Sequence, residues 1–460
     1  MSILNLNGYN SLLKGYTELR CQENSITRIY LLNGNLVNNE RSSNSGVSAR
    51  VNINTSWGFA SNSKISDRSI REVLSLARSN CEFLNSKISP LKRELITSNY
   101  SVEKSFATRK KRLSQGELIN FSKEIDCYIK NKYKNLSSRF VGIDELNMEK
   151  RILTSSGASL YSFLPRIILA IGLTIEDNNG APVELYDVYG GLGQFEDKFN
   201  APSDVYEGID KLYLKLMDKR EGIYAEAGLK ECILASDLAG ILAHEAIGHT
   251  TEADFVLSGS IAGEYLNKQV ASPLINLVDF ANTAFGNTCP VPIYIDDEGT
   301  KAEDVTIIEN GILKGYMHNK ESASILGFKS TGNARAYEFF DEPIIRMRNT
   351  CILPGNSKLQ ELIGSVEDGY YLMHPNNGQA DATSEFMFGV TMGYEIKNGK
   401  LGKAIRDTTI SGVAFDMLKT VSMISDDLTW LSGGMCGKKQ PATVGMGGPA
   451  IKCKVNIGGK

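Results

Sequence analysis

The sequence predicts an α+β fold, with an N-terminal α/β portion of strands and packed helices and a C-terminal antiparallel β-rich portion that carries one chemically distinctive helix. Three observations predict it. Short β-like runs alternate with polar turns in the first 90 residues, apolar residues recur at helical spacing between them, and Asn-Gly pairs punctuate the second half. At 460 residues the chain exceeds what one hydrophobic core organises. Two domains are expected, residues 1–225 and 226–460.

The first strand-like runs fall at 18–22, 26–32 and 47–54, the last with alternating Val51 and Ile53. A helix follows in which Ile70, Val73, Leu74, Ala77, Cys81 and Leu84 share a face, with Ser66 or Asp67 as cap. Lys104, Arg109, Lys110, Lys111 and Arg112 form a basic run without interleaved aromatics, which reads as an exposed linker or helix approach. Ser114 stands three residues before Glu117, the signature of a capping box, and Leu118, Phe121, Ile125 and Ile129 continue one helical face. Residues 134–189 read as antiparallel strands turning at 155–157 and 177–180. Val205, Ile209, Leu212, Leu216 and Met217 then define a further helix. In the second half, turns are expected at Asn310-Gly311, Asn377-Gly378 and Asn398-Gly399. Residues 432–460 are dense in glycine and able to approach a ligand or another backbone closely.

Charge excludes some partner classes. With 50 basic against 53 acidic residues the net charge is -3, which creates no field to gather nucleic acid or anionic membrane. The N-terminus lacks the pattern of a secretory signal, and the most apolar stretch, 160–175, is broken by Pro165 and Arg166. A cytoplasmic location is expected. Eight cysteines without a CxxC pair read as free thiols, available as metal ligands.

The chemistry concentrates in one segment. The chain has four histidines, and two of them, His244 and His249, fall within six positions of an apolar helix, with Glu245 beside the first. This resembles the HExxH zinc helix with one extra residue between the histidines. Five regular helical steps turn the second ring about 500°, or roughly 140° away from the first. Two rings on one metal therefore require a π-bulge or a helix end, and a distorted turn is expected at 247–249, where Gly248 would tolerate it. A catalytic zinc takes three protein ligands and leaves one position open. The third is open among His318, His374, a cysteine and a carboxylate such as Glu252. Asp296, Asp297 and Glu298 read as a charged turn at a strand end.

Six stretches carry a resemblance: HEAIGHTTEADF (244–255), IDDEGT (295–300), ENGILKGYM (309–317), STGNAR (330–335), GQADATS (378–384) and MCGK (435–438). On these the chain resembles the TldD/PmbA family of metallopeptidases, on the catalytic TldD-like side. The resemblance implies that His244, His249 and Cys436 bind one Zn2+ and that Glu245 is the catalytic base. It also implies short or unfolded peptides as substrates, including precursors of modified peptide products, and a homodimer or a heterodimer with a related subunit lacking the zinc motif. The alternative is a non-catalytic scaffold subunit of such an assembly. Two departures, Lys439-Gln440 after the CGK stretch and Asn376-Asn377 before GQ, bear on substrate preference rather than on metal binding.

Overall fold

The computed structural model describes residues 3–87, 94–431 and 433–458, so Ser432 and residues 459–460 of the glycine-dense stretch lie outside it. The architecture is α+β. Among the described residues no helix is long and apolar enough to cross a membrane.

The runs expected at 18–22 and 26–32 are one strand, β1 (Tyr16–Leu32). The polar Glu23, Asn24 and Ser25 continue the ladder against Ser45, Asn44 and Ser43 of β2 (Asn35–Ile53). Main-chain pairing is indifferent to side-chain polarity, which is why the gap in apolar pattern did not end the strand. Asn33 and Gly34, at φ 51° and 81°, make the connecting turn. β3 (Ser56–Asn62) completes this edge, and α1 (Asp67–Asn85), capped by Ser66, packs Ile70, Val73, Ala77 and Cys81 on it. Contact is closest at Gly58, where a Cβ would lie 2.1 Å from the Ala77 carbonyl oxygen.

The sheet continues as β5 (Ser138–Thr154), β6 (Ser159–Glu176) and β7 (Pro182–Leu192), antiparallel and turning where expected, while β4 (Ser101–Ser105) runs parallel to β6. The order is β3-β2-β1-β5-β6-β4, with β7 also on β6. The capping box of Ser114 and Glu117 starts α2 (Gln115–Lys132). Together with α3 (Phe195–Lys198) and α4 (Tyr206–Arg220) it covers one face, burying Phe121, Ile125, Ile209 and Leu212 against Ile29, Val141, Ile143 and Leu169. Each such side chain contributes about 1.5–3 kcal/mol by leaving water. The basic run is exposed, as expected, and within it Arg112 pairs with Glu145 and Glu196.

The second half is less purely antiparallel than expected. β8 (Gly228–Leu234) runs parallel to Asp368–Ala380 and antiparallel to Ile451–Gly458, and the pairing of Asp368–Ala380 with Glu385–Lys397 closes five strands of this seven-stranded sheet into a ring. In a second, six-stranded sheet, Asn349–Ile352 is parallel to Gly445–Gly448. Both parallel pairs join segments far apart in sequence, whose mutual direction local pattern does not encode. Asn310-Gly311 and Asn398-Gly399 do turn hairpins. Asn377-Gly378 does not: it lies within Asp368–Ala380, where the register shifts between Asn376 and Gly378 in a bulge. His374, expected in a loop, is in the same strand at φ 54°.

Asp296, Asp297 and Glu298 do form a turn, closed by the Gly299 amide on Asp296 at 3.0 Å. It is buried rather than solvated: Arg50 reaches Glu298 at 2.6 Å and Lys150 reaches Asp297 at 2.9 Å. The turn thereby fastens the second half to the N-terminal sheet.

Candidate metal centre

α5 (Ser236–Leu242) follows β8 directly. The Asp237 carboxylate accepts from the amides of Leu238 at 2.8 Å and His374 at 2.9 Å, tying the helix start to the adjoining strand. The helix is sunk in the core of the second half, and a Cβ at Gly240 would lie 3.1 Å from the Met446 carbonyl carbon.

From Ala243 the helix widens into a π turn, Ala243–Gly248, and ends in a 3-10 turn, His249–Thr251. The His249 amide donates to the carbonyl oxygen of His244, so the two residues are successive rungs despite their spacing of five. The rings lie 5.2 Å apart, centroid to centroid, at 77°. The distortion expected at 247–249 therefore begins at Ala243, because widening has to start before the first ring in order to bring the second above it. Gly248 itself is ordinarily helical, at φ -57° and ψ -53°. Its glycine is required by space: a Cβ there would lie 1.9 Å from the Met347 sulfur.

The strand Met435–Lys438 passes over this turn and pairs with Gln440–Thr443. Cys436 and Lys438, two apart, are buried, whereas Met435 and Gly437 are exposed. The buried Arg346 holds the strand in place by donating to the carbonyls of Cys436 at 2.8 Å, Lys438 at 3.2 Å and Gln440. Cys436 Sγ stands 3.1 Å from His249 Nε2. One donor atom from each of His244, His249 and Cys436 lies within 4.8 Å of the others. The Glu245 carboxylate is 3.9 Å from His244 Nε2 and 3.6 Å from His249 Nε2.

The other candidate ligands lie elsewhere. His318 is buried, shares a hydrogen bond with Ser322 at 3.1 Å and stacks on Phe328. His374 contacts Lys215 at 3.1 Å. Glu252 is near, but its carboxylate takes the far nitrogen of His249, Nδ1, at 2.9 Å. Lys438 Nζ donates to the same Glu252 oxygen at 3.1 Å and to Asp254 at 2.6 Å. Sequence reasoning assigned no part to Lys438 or Arg346. The i, i+2 spacing of Cys436 and Lys438 on a strand was a usable signal for the lysine; nothing local marks Arg346.

Electrostatics divide the two imidazoles. His244 is completely buried with neither ring nitrogen hydrogen-bonded, and burial, with the charges of His249, Arg346 and Arg335, holds it well below the usual histidine range. It is a neutral donor in want of an acceptor. Burial opposes charge on His249 too, but the Glu252 carboxylate and the Cys436 contact outweigh it and push the ring up to about 10. Metal bound at that ring has to displace a proton. Burial pushes the Glu245 carboxyl upward, partly offset by His249, towards the range useful to a general base. Two imidazoles and a thiol form a soft, nitrogen- and sulfur-rich set that suits zinc, and the partnerless nitrogens of His244 fit an ion at their convergence.

The cluster opens on a cleft of about 710 Å³, bordered by Glu245, His249, Phe255, residues 378–382 and Met435.

The chain matches the family model for the PmbA/TldA metallopeptidase C-terminal domain over residues 228–459 and that for PmbA/TldA metallopeptidase domain 1 over residues 17–81. It is 30% identical to a zinc metalloprotease TldD homolog of Saccharolobus solfataricus, covering 90% of each chain. It is 32% identical to a metalloprotease TldD homolog of Buchnera aphidicola, covering 91% of this chain and 87% of that one. The crystal structure of TldE from Thermococcus kodakarensis superposes with a TM-score of 0.74 at 16% identity over 99% of both chains, a likeness of fold.

Proposed function

The chain belongs to the PmbA/TldD metallopeptidase family, and on that premise we propose that it hydrolyses short or unfolded peptides with one zinc ion held by His244, His249 and Cys436. The observation that carries the reading is the convergence of those three donors within 4.8 Å, with the Glu245 carboxylate beside both rings on the cleft.

Zinc, when bound, would polarise the substrate carbonyl and acidify a water. Glu245, with its half-buried carboxyl raised by desolvation, is placed to take a proton from an attacking water in the cleft and to return one to the departing amine. Glu252 holds His249 at Nδ1 and so leaves Nε2 for the metal. Phe255 narrows the solvent's share of the cleft beside His249.

An extended peptide is the substrate form this cleft favours. Gly378, Gln379 and Ala380 pair with Phe388, Met387 and Phe386 on one edge, while β8 pairs only with Gly369–Leu372 on the other. The second edge of 378–380 borders the cleft with no strand beside it among the described residues, and a peptide can add there through main-chain hydrogen bonds. Such binding asks little of side chains, in keeping with weak selectivity. We further propose a division near residue 225, and pairing either with itself or with a related subunit lacking the zinc motif, a reading that the likeness to TldE supports at the level of fold.

Metal analysis together with a peptide-library cleavage assay tests this. Wild type should carry zinc and cleave, and Glu245→Ala should keep zinc and lose cleavage. Equal cleavage by that variant would remove Glu245 from the chemistry. Absence of zinc and cleavage, alone and with a related subunit, would overturn the reading in favour of a scaffold.

A further inference from the structure

Lys439 is the whole connection between the strand that carries Cys436 and its neighbour, since Lys438 pairs directly with Gln440 across it. The one-residue turn forces φ to 56°. Among the described residues most non-glycine residues in that region are asparagines, which tolerate it; a lysine adopts it only under strain, which a glycine would relieve. A long cationic side chain is kept at a position where the backbone favours its absence.

Its surroundings suggest why. Lys439 is exposed and borders the cleft, among the acidic Glu245, Asp254 and Asp381. The other cation there, Lys438, is saturated by Glu252, Asp254 and the Ile345 carbonyl oxygen. No ion pair or hydrogen bond occupies the Lys439 ammonium among the described residues. It lies three residue steps from Cys436, about 10 Å along a strand. That is the length of roughly three residues of an extended peptide.

Resting on the peptidase reading above, we propose that Lys439 is a specificity-determining residue that receives a carboxylate of the bound peptide about three residues from the scissile bond. The carboxylate is either the peptide C-terminus or an acidic side chain, since the ammonium recognises both alike. An exposed ion pair in a water-filled cleft is modest, so the expected preference is about fivefold and weakens as salt rises.

The test compares matched peptides of the library: free acid against C-terminal amide, and Glu against Gln placed at each position around the cleaved bond. Cleavage is read as kcat/KM ratios, and binding is read separately by anisotropy on zinc-loaded Glu245→Gln enzyme. A ratio of about five for one of the two carboxylate types, falling to one in Lys439→Gly and inverting towards basic peptides in Lys439→Glu, supports the proposal and identifies the carboxylate's source. Lys439→Gly suits the turn and should raise Tm, so loss of folding will not mimic loss of preference. Cleavage with ratios of one in wild type, or ratios unmoved by Lys439→Gly, overturns the proposal while leaving the peptidase reading standing. Preferential binding without cleavage supports Lys439 and overturns hydrolysis instead.

Discussion

The amide of His249 donates to the carbonyl oxygen of His244, five residues back, and this one π-type bond is what lets an HExxxH segment present both rings to a common point. A regular helix would have turned them apart by roughly 140°. The predictions below concern how that arrangement is held.

Packing against Met347 holds the turn. Gly248→Ala places a methyl 1.9 Å from the Met347 sulfur at a backbone conformation alanine otherwise accepts. We expect destabilisation of about 1–3 kcal/mol from overpacking, with zinc content reduced. Met347→Ala in the same chain should recover part of both. Urea unfolding and metal analysis of the two single variants and the double variant check this, and no recovery in the double variant would refute the steric account.

Glu252 fixes His249 from behind, and Lys438 fixes Glu252. Glu252→Gln should weaken zinc binding about 10–100-fold in a chelator competition, as loss of such outer contacts commonly does. Lys438→Met should act in the same direction, and the effects should be less than additive because the two residues form one network. Additive effects would mean that they act independently.

Arg346 is fully buried and serves three carbonyls of the Cys436 hairpin. Arg346→Met leaves those acceptors unsatisfied and should cost about 2–4 kcal/mol. Hydrogen exchange at residues 435–443 should rise more than in the N-terminal sheet. Uniform loss of protection would assign Arg346 a merely global role.

His318 predicts an acid-sensitive term in stability. Burial holds its folded pKa down, to about 4, against 6.5 for the free side chain. A depressed histidine leaves the folded state neutral, so its contribution is complete above pH 6.5 and is lost as pH falls towards 4. Between pH 7 and pH 5 the loss is about 2 kcal/mol. His318→Asn should remove that part of the pH dependence, whatever it does to stability at pH 7. An identical pH dependence in the variant would show that other groups carry it.

Much of the fold was legible locally. Ser114 and Glu117 announced α2, the pair Ser66 and Asp67 announced α1, and the turns at 155–157 and 177–180 divided three strands correctly, because caps and turns act over a few residues that the sequence displays together. Asn377-Gly378 misled for the same reason: its composition fits a turn, while pairing on both sides of the bulge keeps it in a strand. The parallel pairs and the burial of Asp296, Asp297 and Glu298 depend on partners, such as Arg50 and Lys150, that lie hundreds of residues away or nearly so.

The candidate site divides in the same way. By itself the sequence determined the two histidines, the glutamate between them, and the need for a distorted helix, since 3.6 residues per turn cannot align a spacing of five. Residue spacing left the third donor open; resemblance pointed to Cys436. Only the tertiary structure decided that Cys436 Sγ stands 3.1 Å from His249, that Arg346 holds its strand there, and that Glu252 and Lys438 back the second ring. Apart from the Glu252–His249 bond, which spans three residues, these contacts join segments about 90 to 190 residues apart, and such proximity is set by how sheets stack and close, which no local run of residues encodes.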